Sequence, residues 1–449
     1  MSAERKLGPE EKAFETVSLG FRSGATKSVK QRIEWLKTLE GELVLRENDL
    51  LSALCADLGK PALEAWLAEY RFVLEDLRLH QKKLQSWTKK SRVTSPFHTW
   101  PARSWTQREP YGCALIFSPW NYPVQLSLSP LIGAIAAGNT VVLKPSEFAP
   151  ESARFLESLL LATFPADVVR VVQGDGDVAA RLSELRFDHF FYTGSERYGR
   201  SVAHAAAEQM SPCVLELGGK CPVVIGPGAD IEKTVERVVA MKLFNLGQTC
   251  FAPDYVLVPA ADQHRWVQKF QAAFDAEWEG NDPSEFAKVV NERQLKRVLQ
   301  LHPEARAEGE RIRPLAFAAG WTDAVMQEEI FGPLLPVVPY DGSIPEELKQ
   351  REEALAAYFF SNEEEWLDRW ITEVPSGGVT INDVGKHTIN HALPFGGVGA
   401  SGYGRYRGRI SFETFSWERS FTKRYFVKDF FLMKRPYGKT FEMLKRFMK

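Results

Sequence analysis

From Cys113 onward the chain alternates short, unbroken apolar runs with longer amphipathic ones, and that rhythm sets the expected fold. CALIFS (113–118) suits a strand buried on both faces, and a turn with Pro119, Trp120 and Asn121 follows it. An apolar helix over 124–137 closes at Gly138-Asn139, and TVVLK (140–144) is the next strand. This β–α–β unit repeats: helix 150–164 leads to strand 168–172, helix 178–185 to strand 189–193, and helix 196–209 to strand 213–217. Alternation at this spacing predicts an α/β fold with a parallel, doubly wound sheet and ligands at the carboxyl ends of its strands. A second α/β set follows Gly218-Gly219-Lys220, with strands expected at 223–225, 255–258, 334–338, 357–360 and 378–382.

The flanks have other patterns. Residues 1 to about 95 read as helices, charged and leucine-rich, with a stop signal at Asp57-Leu58-Gly59-Lys60-Pro61 and a resumed helical pattern over 63–87. The segment 95–112 alternates aromatic and polar residues between prolines and reads as a protruding strand or hairpin. The tail interleaves Tyr425, Phe426, Phe430 and Phe431 with Lys434, Arg435, Lys445 and Arg446. One reading of it is a membrane-surface or partner-binding element. The other, favoured for so short a segment, is an extension packed on its own or a partner subunit.

At 449 residues the chain is too long for one core and should form two or three domains. Charged residues at 25% and hydrophobic residues at 44% describe a soluble globular protein. A net charge of -2 supplies no broad basic field, which argues against nucleic acid as the main partner. Five cysteines without a CxxC pair fit a reducing compartment better than a disulfide scaffold or a metal site. The opening MSAERKLGPEEK has no apolar core, and no stretch is long and apolar enough to span a bilayer, so a soluble, cytoplasmic chain is expected.

The candidate chemistry centres on FNLGQTCFAPDY, with Cys250 near its middle. A thiol is the most nucleophilic side chain near neutral pH once it ionises. Gly247 leaves backbone room beside it, and Gln248 and Thr249 place polar groups next to the sulfur. Val235, Val238, Val239 and Leu243 recur at helical spacing, putting Cys250 just past a helix end. A lone cysteine is by default a buried, inert one, so partners must decide. Polar groups do fall where the fold would put a ligand. Asn121 follows the first strand, Lys144 and Glu147 end the second, Gly194-Ser195 follow another, and Glu216 ends the last of the first set. TGSERYG, running into a helix N-terminus, is a phosphate-cradle signal. No G-x-G-x-x-G stands at a strand-to-helix turn. The residues alone indicate an α/β protein with a thiol, a carboxylate and a nucleotide site.

SPWNYP, GNTVVLKPSE, FYTGSERYG, LELGGK, FNLGQTC, MQEEIFGP and LPFGGVGASGYG occur in an order and spacing that resembles the aldehyde dehydrogenase superfamily. The closing run SGGVTINDVGKHTINHALPFGGVGASGYGRYRG, with GQTCFAPDY, is most similar to its class 3 branch, and the resemblance spans about Leu54 to Phe415. It implies Cys250 as nucleophile, Asn121 with the Cys250 N–H as oxyanion hole, and Glu216 as general base. It assigns Lys144 and Glu147 to the adenosine ribose of NAD or NADP and Gly194-Ser195 to the pyrophosphate, with Gly199 allowing a close helix. Glu329 would take the nicotinamide ribose and Phe331 the nicotinamide, while Glu147 disfavours a 2′-phosphate and leans towards NAD. The expected substrate is an aliphatic or aromatic aldehyde, with Trp66, Tyr70, Trp120, Phe251 and Phe395 as candidate channel residues, and the expected assembly is a homodimer.

By that resemblance, a Rossmann-type cofactor domain takes residues 1–94 and 112–217, and a catalytic domain 218–407. A small β bridging element takes 95–111 and 408–421, and the basic aromatic tail 422–449. Departures stand out as well. Leu246 and Phe251 are bulkier than the pattern, Cys221 stands where a serine is common, and 290–326 and 341–357 look trimmed. Two other readings stay open here: a cysteine esterase or thioester hydrolase, and a non-catalytic relative with a binding or structural role.

Overall fold

The structure, a computed structural model, describes residues 7–96, 99–426 and 435–447. Helix α1 (Pro9–Ser23) starts where the Glu11 carboxylate accepts from the Gly8 N–H at 2.9 Å, and it ends at Gly24 in the left-handed conformation, φ 85°. Helix α2 (Val29–Leu45) leads to α3 (Glu47–Leu58), which stops at left-handed Gly59 just before Pro61, as the stop signal predicts. Helix α4 (Ala62–Ala65) runs through a π-helical turn, Trp66–Arg71, into α5 (Phe72–Trp87).

Strands β1 (Ser91–Val93) and β2 (Ala102–Pro110) precede the alternating units. These are β3 (Cys113–Phe117), α6 (Gln125–Ala137), β4 (Thr140–Lys144), α7 (Pro150–Thr163), β5 (Val169–Val171), α8 (Gly176–Glu184), β6 (His189–Thr193), α9 (Glu196–Glu208) and β7 (Cys213–Glu216). The expected strands and helices all form, within a few residues at their ends. β3 to β7 pair in parallel in the spatial order β7-β6-β3-β4-β5, the doubly wound arrangement expected. Complete burial of β3, β4 and β6 explains their unbroken apolar sequences. All thirteen residues of α6 are buried, packed among the sheet, α5 and a later helix.

The second set runs β8 (Pro222–Ile225), α10 (Ile231–Leu243), β9 (Tyr255–Pro259), α11 (Gln263–Gly280), α12 (Glu292–Gln300), the short ladder of β10 (Ala307–Glu308) and β11 (Arg311–Ile312), and β12 (Leu315–Ala318). It continues with β13 (Leu334–Tyr340), α13 (Glu346–Lys349), β14 (Ala354–Phe360), α14 (Glu364–Glu373) and β15 (Ser376–Ile381). Its sheet is parallel, in the order β12-β13-β9-β8-β14-β15. The sequence reading lacked the edge strand β12, whose alternate alanines look like neither a strand nor a helix face.

The chain then returns to the first sheet. Strand β16 (Gly402–Tyr403) lies within the stretch expected to be catalytic, yet it pairs antiparallel with β7, Gly402 opposite Glu216. The bridging stretch expected over 408–421 also divides. Residues Gly408–Thr414 form α15, which packs on α6, with Ser411 and Phe415 just beyond it set against Gly133, and on α5, where Phe412 meets Trp87. Only β17 (Ser416–Arg424) joins the expected β element, pairing along its whole length with β2, which has β1 on its other side. Beyond it lies α16 (Gly438–Phe447), while Phe430, Phe431 and Lys434 of the tail lie outside the described residues. No helix among the described residues is long and apolar enough to cross a membrane.

Gly133 is where α6 and α15 touch: a Cβ there would lie 2.6 Å from the Ser411 Cβ. Gly133→Val should therefore push α15 outward and cost about 1–3 kcal/mol, read as a lower Tm in thermal unfolding with secondary structure retained.

Candidate active site

A cavity of about 420 Å³ lies between the carboxyl ends of β3, β6 and β7 and the chain that precedes β9. Asn121, Gly194, Ser195, Glu216, Cys250, Glu329 and Phe331 all line it. Lys144 and Glu147 do not. They sit at the carboxyl end of β4, paired with each other at 2.8 Å, with Lys144 buried and Glu147 exposed. Gly199 lies behind the wall, where a Cβ would press to 2.8 Å from the Leu217 side chain. A larger cavity, about 970 Å³, opens between α5, α15 and the three-stranded sheet, and holds none of these residues.

Cys250 does not follow directly on α10. Between them Asn245 (φ 51°) and Leu246 (φ 53°) take the left-handed conformation, a rare state for a bulky side chain, followed by Gly247 at φ 74°. Leu246 is thus fully buried in a strained turn rather than crowded against the helix end. Hydrogen bonds over-determine that turn. The Asn245 amide donates to the carbonyls of Asn121 (3.0 Å) and Gln248 (3.1 Å), and the Gln248 amide donates to Lys288 O (2.8 Å) and its oxygen accepts from Val290 N–H (3.1 Å). A Cβ on Gly247 would meet Gly332 O at 2.5 Å, so the glycine is needed for close approach. Cys221 is a packing residue: it is buried, and its S–H donates to Cys250 O at 3.5 Å.

The Cys250 thiol is held well above its ordinary pKa by burial first, then by the carboxylates of Glu329 and Glu216, with Arg407 and the Cys250 N–H opposing. Asn121 directs its side-chain amide to Gln248 O at 3.0 Å, which leaves its other N–H for a ligand. Glu216 is buried, and neither of its carboxylate oxygens has a hydrogen-bond partner among the described residues. Burial pushes this carboxyl well above the usual range against the pull of Arg407 and Arg405. A buried carboxylate without a partner is costly, so its persistence marks a group kept for something other than stability.

Glu329 sits in a stapled turn. Arg297 donates to the carbonyls of Glu329 (3.0 Å) and Ile330 (2.6 Å), and Asp254 accepts from Ile330 N–H at 2.9 Å. Burial and Asp254 push the Glu329 carboxyl up to about 8. A Cβ on Gly218 would fall 2.2 Å from it, so that glycine makes the space the carboxylate occupies.

Residues 10–420 match the model of the aldehyde dehydrogenase family. The chain belongs to that family. It is 38% identical over 456 residues to 4,4'-diaponeurosporen-aldehyde dehydrogenase of Staphylococcus aureus, across 98% of this chain and 99% of the relative. With aldehyde dehydrogenase family 3 member A2 of Macaca fascicularis it shares 37% over 431 residues, 91% of this chain and 87% of that protein. The solved structure of the substrate-bound state of Staphylococcus aureus AldH has the same fold at a TM-score of 0.94, with 37% identity and coverage of 99% and 100%. The chain is a class 3 aldehyde dehydrogenase, and its reaction is the NAD(P)-dependent oxidation of an aldehyde.

The residues around this aldehyde dehydrogenase's cavity fit a dinucleotide. Ser195 is the N-cap of α9 but makes no side-chain capping bond, so the first amides of that helix remain for an anion. Gly194 adds no Cβ in front of them, where one would strike the Tyr192 hydroxyl at 2.4 Å. Of the aromatics expected along a channel, Trp120 lines the cavity, with Phe331 5.4 Å from it edge to face. Phe251 and Phe395 pair at 6.3 Å, Phe251 following directly on Cys250, and Trp66 packs against the core. Tyr70 is a correction. It is buried in the helical layer, with Glu47 beside its hydroxyl, because the π-turn carries it inward. The sequence reading also lacked Asn245 and Arg407. The latter is a buried cation stacked 4.3 Å over Phe72 and 5.0 Å over Phe395, and only its place in an otherwise glycine- and tyrosine-rich run set it apart.

All five cysteines are free, and Cys55 is the exposed one. Iodoacetamide at neutral pH should label Cys55 first, with Cys250 slow and accelerating as pH rises because its thiol is held up. Peptide mass spectrometry of labelled enzyme checks the order.

Proposed function

We propose that Cys250 is the nucleophile, Asn121 with the Cys250 backbone N–H the oxyanion hole, and Glu216 the base that activates water. The observation that carries this reading is one cavity lined by a half-buried thiol, an amide with a free N–H and an unpartnered carboxylate. Cys250, its thiol proton lost to solvent, adds to the aldehyde carbon, and the negative charge that develops on oxygen meets two preorganised donors. NAD(P), when bound, supplies the acceptor for the hydride that leaves the aldehyde carbon. Glu216 then takes a proton from water as it attacks the thioester on Cys250, releasing the acid.

Lys144 and Glu147 bind the adenosine ribose, Gly194-Ser195 the pyrophosphate and Glu329 the nicotinamide ribose, with Phe331 against the nicotinamide and Gly199 letting α9 approach. Glu147 repels a 2′-phosphate, which weights NAD over NADP. Trp120, Phe331 and Leu126 on the cavity wall favour aliphatic or aromatic aldehydes over charged semialdehydes. We further propose a cytoplasmic homodimer. Its support is the long strand β17, whose outer edge has no neighbouring strand among the described residues and so can take one from a second copy.

Purified enzyme given NAD or NADP and a panel of such aldehydes should form reduced cofactor, read by absorbance. Cys250→Ala should abolish it while cofactor still binds. Silence of the parent enzyme across the panel, with cofactor bound, would overturn the proposal. Glu216→Gln should stall after one turnover, with acyl-enzyme visible by mass spectrometry. In the parent, thioester hydrolysis should speed up with pH, because a raised carboxyl gives more of its basic form as pH climbs; the variant should lose that dependence.

A further inference from the structure

The segment from Lys60 to Arg71 reaches beneath the cavity with charged side chains that solvent does not explain. Lys60 and Glu69 have no side-chain exposure and pair at 2.5 Å. Each also touches the turn that carries Asn121. Lys60 Nζ donates to Asn121 O at 2.9 Å and lies 4.2 Å over the Tyr122 ring. Glu69 Oε2 accepts from the N–H groups of Val124 (2.8 Å) and Gln125 (3.2 Å), where α6 begins. Glu69 lies within the π-turn, which adds a residue to one helical turn, and is buried there.

A second carboxylate of the same segment works on the other side. Glu64 Oε2 accepts from Asn245 N–H at 2.8 Å, anchoring the left-handed turn, and Asn245 donates back to Asn121 O at 3.0 Å. The Tyr122 hydroxyl bonds the Thr249 hydroxyl at 2.6 Å, one residue before the nucleophile. Asn121 O thus receives two donors, Lys60 and Asn245, which belong to opposite ends of one network.

Burying an ion pair is seldom worth its desolvation in stability, and an apolar pair would fill the same space. A charged pair does fix the direction of its hydrogen bonds, and here each bond ends on the backbone next to the oxyanion donor or the nucleophile. We propose that Lys60, Glu64 and Glu69 are positioning residues that hold the Asn121 amide in register with the Cys250 sulfur. The inference rests on the role given above to Asn121. These residues act on the barrier to thiol addition and leave cofactor binding alone.

A double-mutant cycle tests this. Lys60→Met and Glu69→Gln are each made in the parent enzyme and in Asn121→Ala, with kcat, KM and NAD affinity measured for all. Glu69→Gln keeps shape and an acceptor oxygen, and serves should Lys60→Met fail to fold. In the parent, each should lower kcat about 10–100-fold, the usual effect of losing an outer support, with KM and NAD affinity within about twofold. In Asn121→Ala neither should cost more than about twofold further, since the group they place is gone. Equal losses in both backgrounds, or a matching loss of NAD affinity, would overturn the inference and leave the function intact. Full activity of Asn121→Ala alone would overturn both.

Discussion

The active-site cavity lies between the carboxyl ends of the first sheet and loops of the second α/β set, and the chain after that set returns to the first sheet. The tie so made is two residues long. Gly402 and Tyr403 leave the second α/β set and pair antiparallel with Glu216 and Leu215 at the end of the first sheet. Gly402 takes φ 117°, and a Cβ there would sit 2.0 Å from Leu215 O, so the approach is possible only for glycine. Through this bridge the backbone of the proposed base is fixed by the same stretch that carries Arg405 and Arg407, the cations that moderate its charge.

Around that tie, burial does most of the electrostatic work. It raises the Cys250 thiol and the Glu216 and Glu329 carboxyls alike, and the nearby cations oppose it only in part. The carboxylates of Glu329 and Glu216 add to burial in disfavouring the Cys250 thiolate.

Sequence patterning revealed most of the fold because its strands are short apolar runs between turn residues, and buried parallel strands have no other way to read. It was blind where structure depends on distant partners. β16 is too short to have a pattern, β12 has too little apolar weight, and α15 shows its buried side only once α6 is known to lie beneath it. The site divides in the same way. Cys250, Asn121 and Glu216 carry their chemistry at strand ends and turns, where ligands are expected, and the cavity gathers them. Lys60 stood out only as part of a helix stop signal, Glu64 and Glu69 only as members of a helical stretch, and Tyr70 looked like a channel residue. Glu69 and Tyr70 are buried within a single π-turn, which is invisible in composition.

The complete burial of α6 has a consequence for how such an enzyme can diversify. A helix with no solvent face offers selection no neutral positions, since every side chain is constrained by neighbours on all sides. Drift in the scaffold is thereby confined to its outer layers. Change in the shape of the cavity is left to wall residues carried on loops, such as Trp120, where volume can change without disturbing the helix that starts beside Asn121. The fold thus separates what is free to vary from what is not.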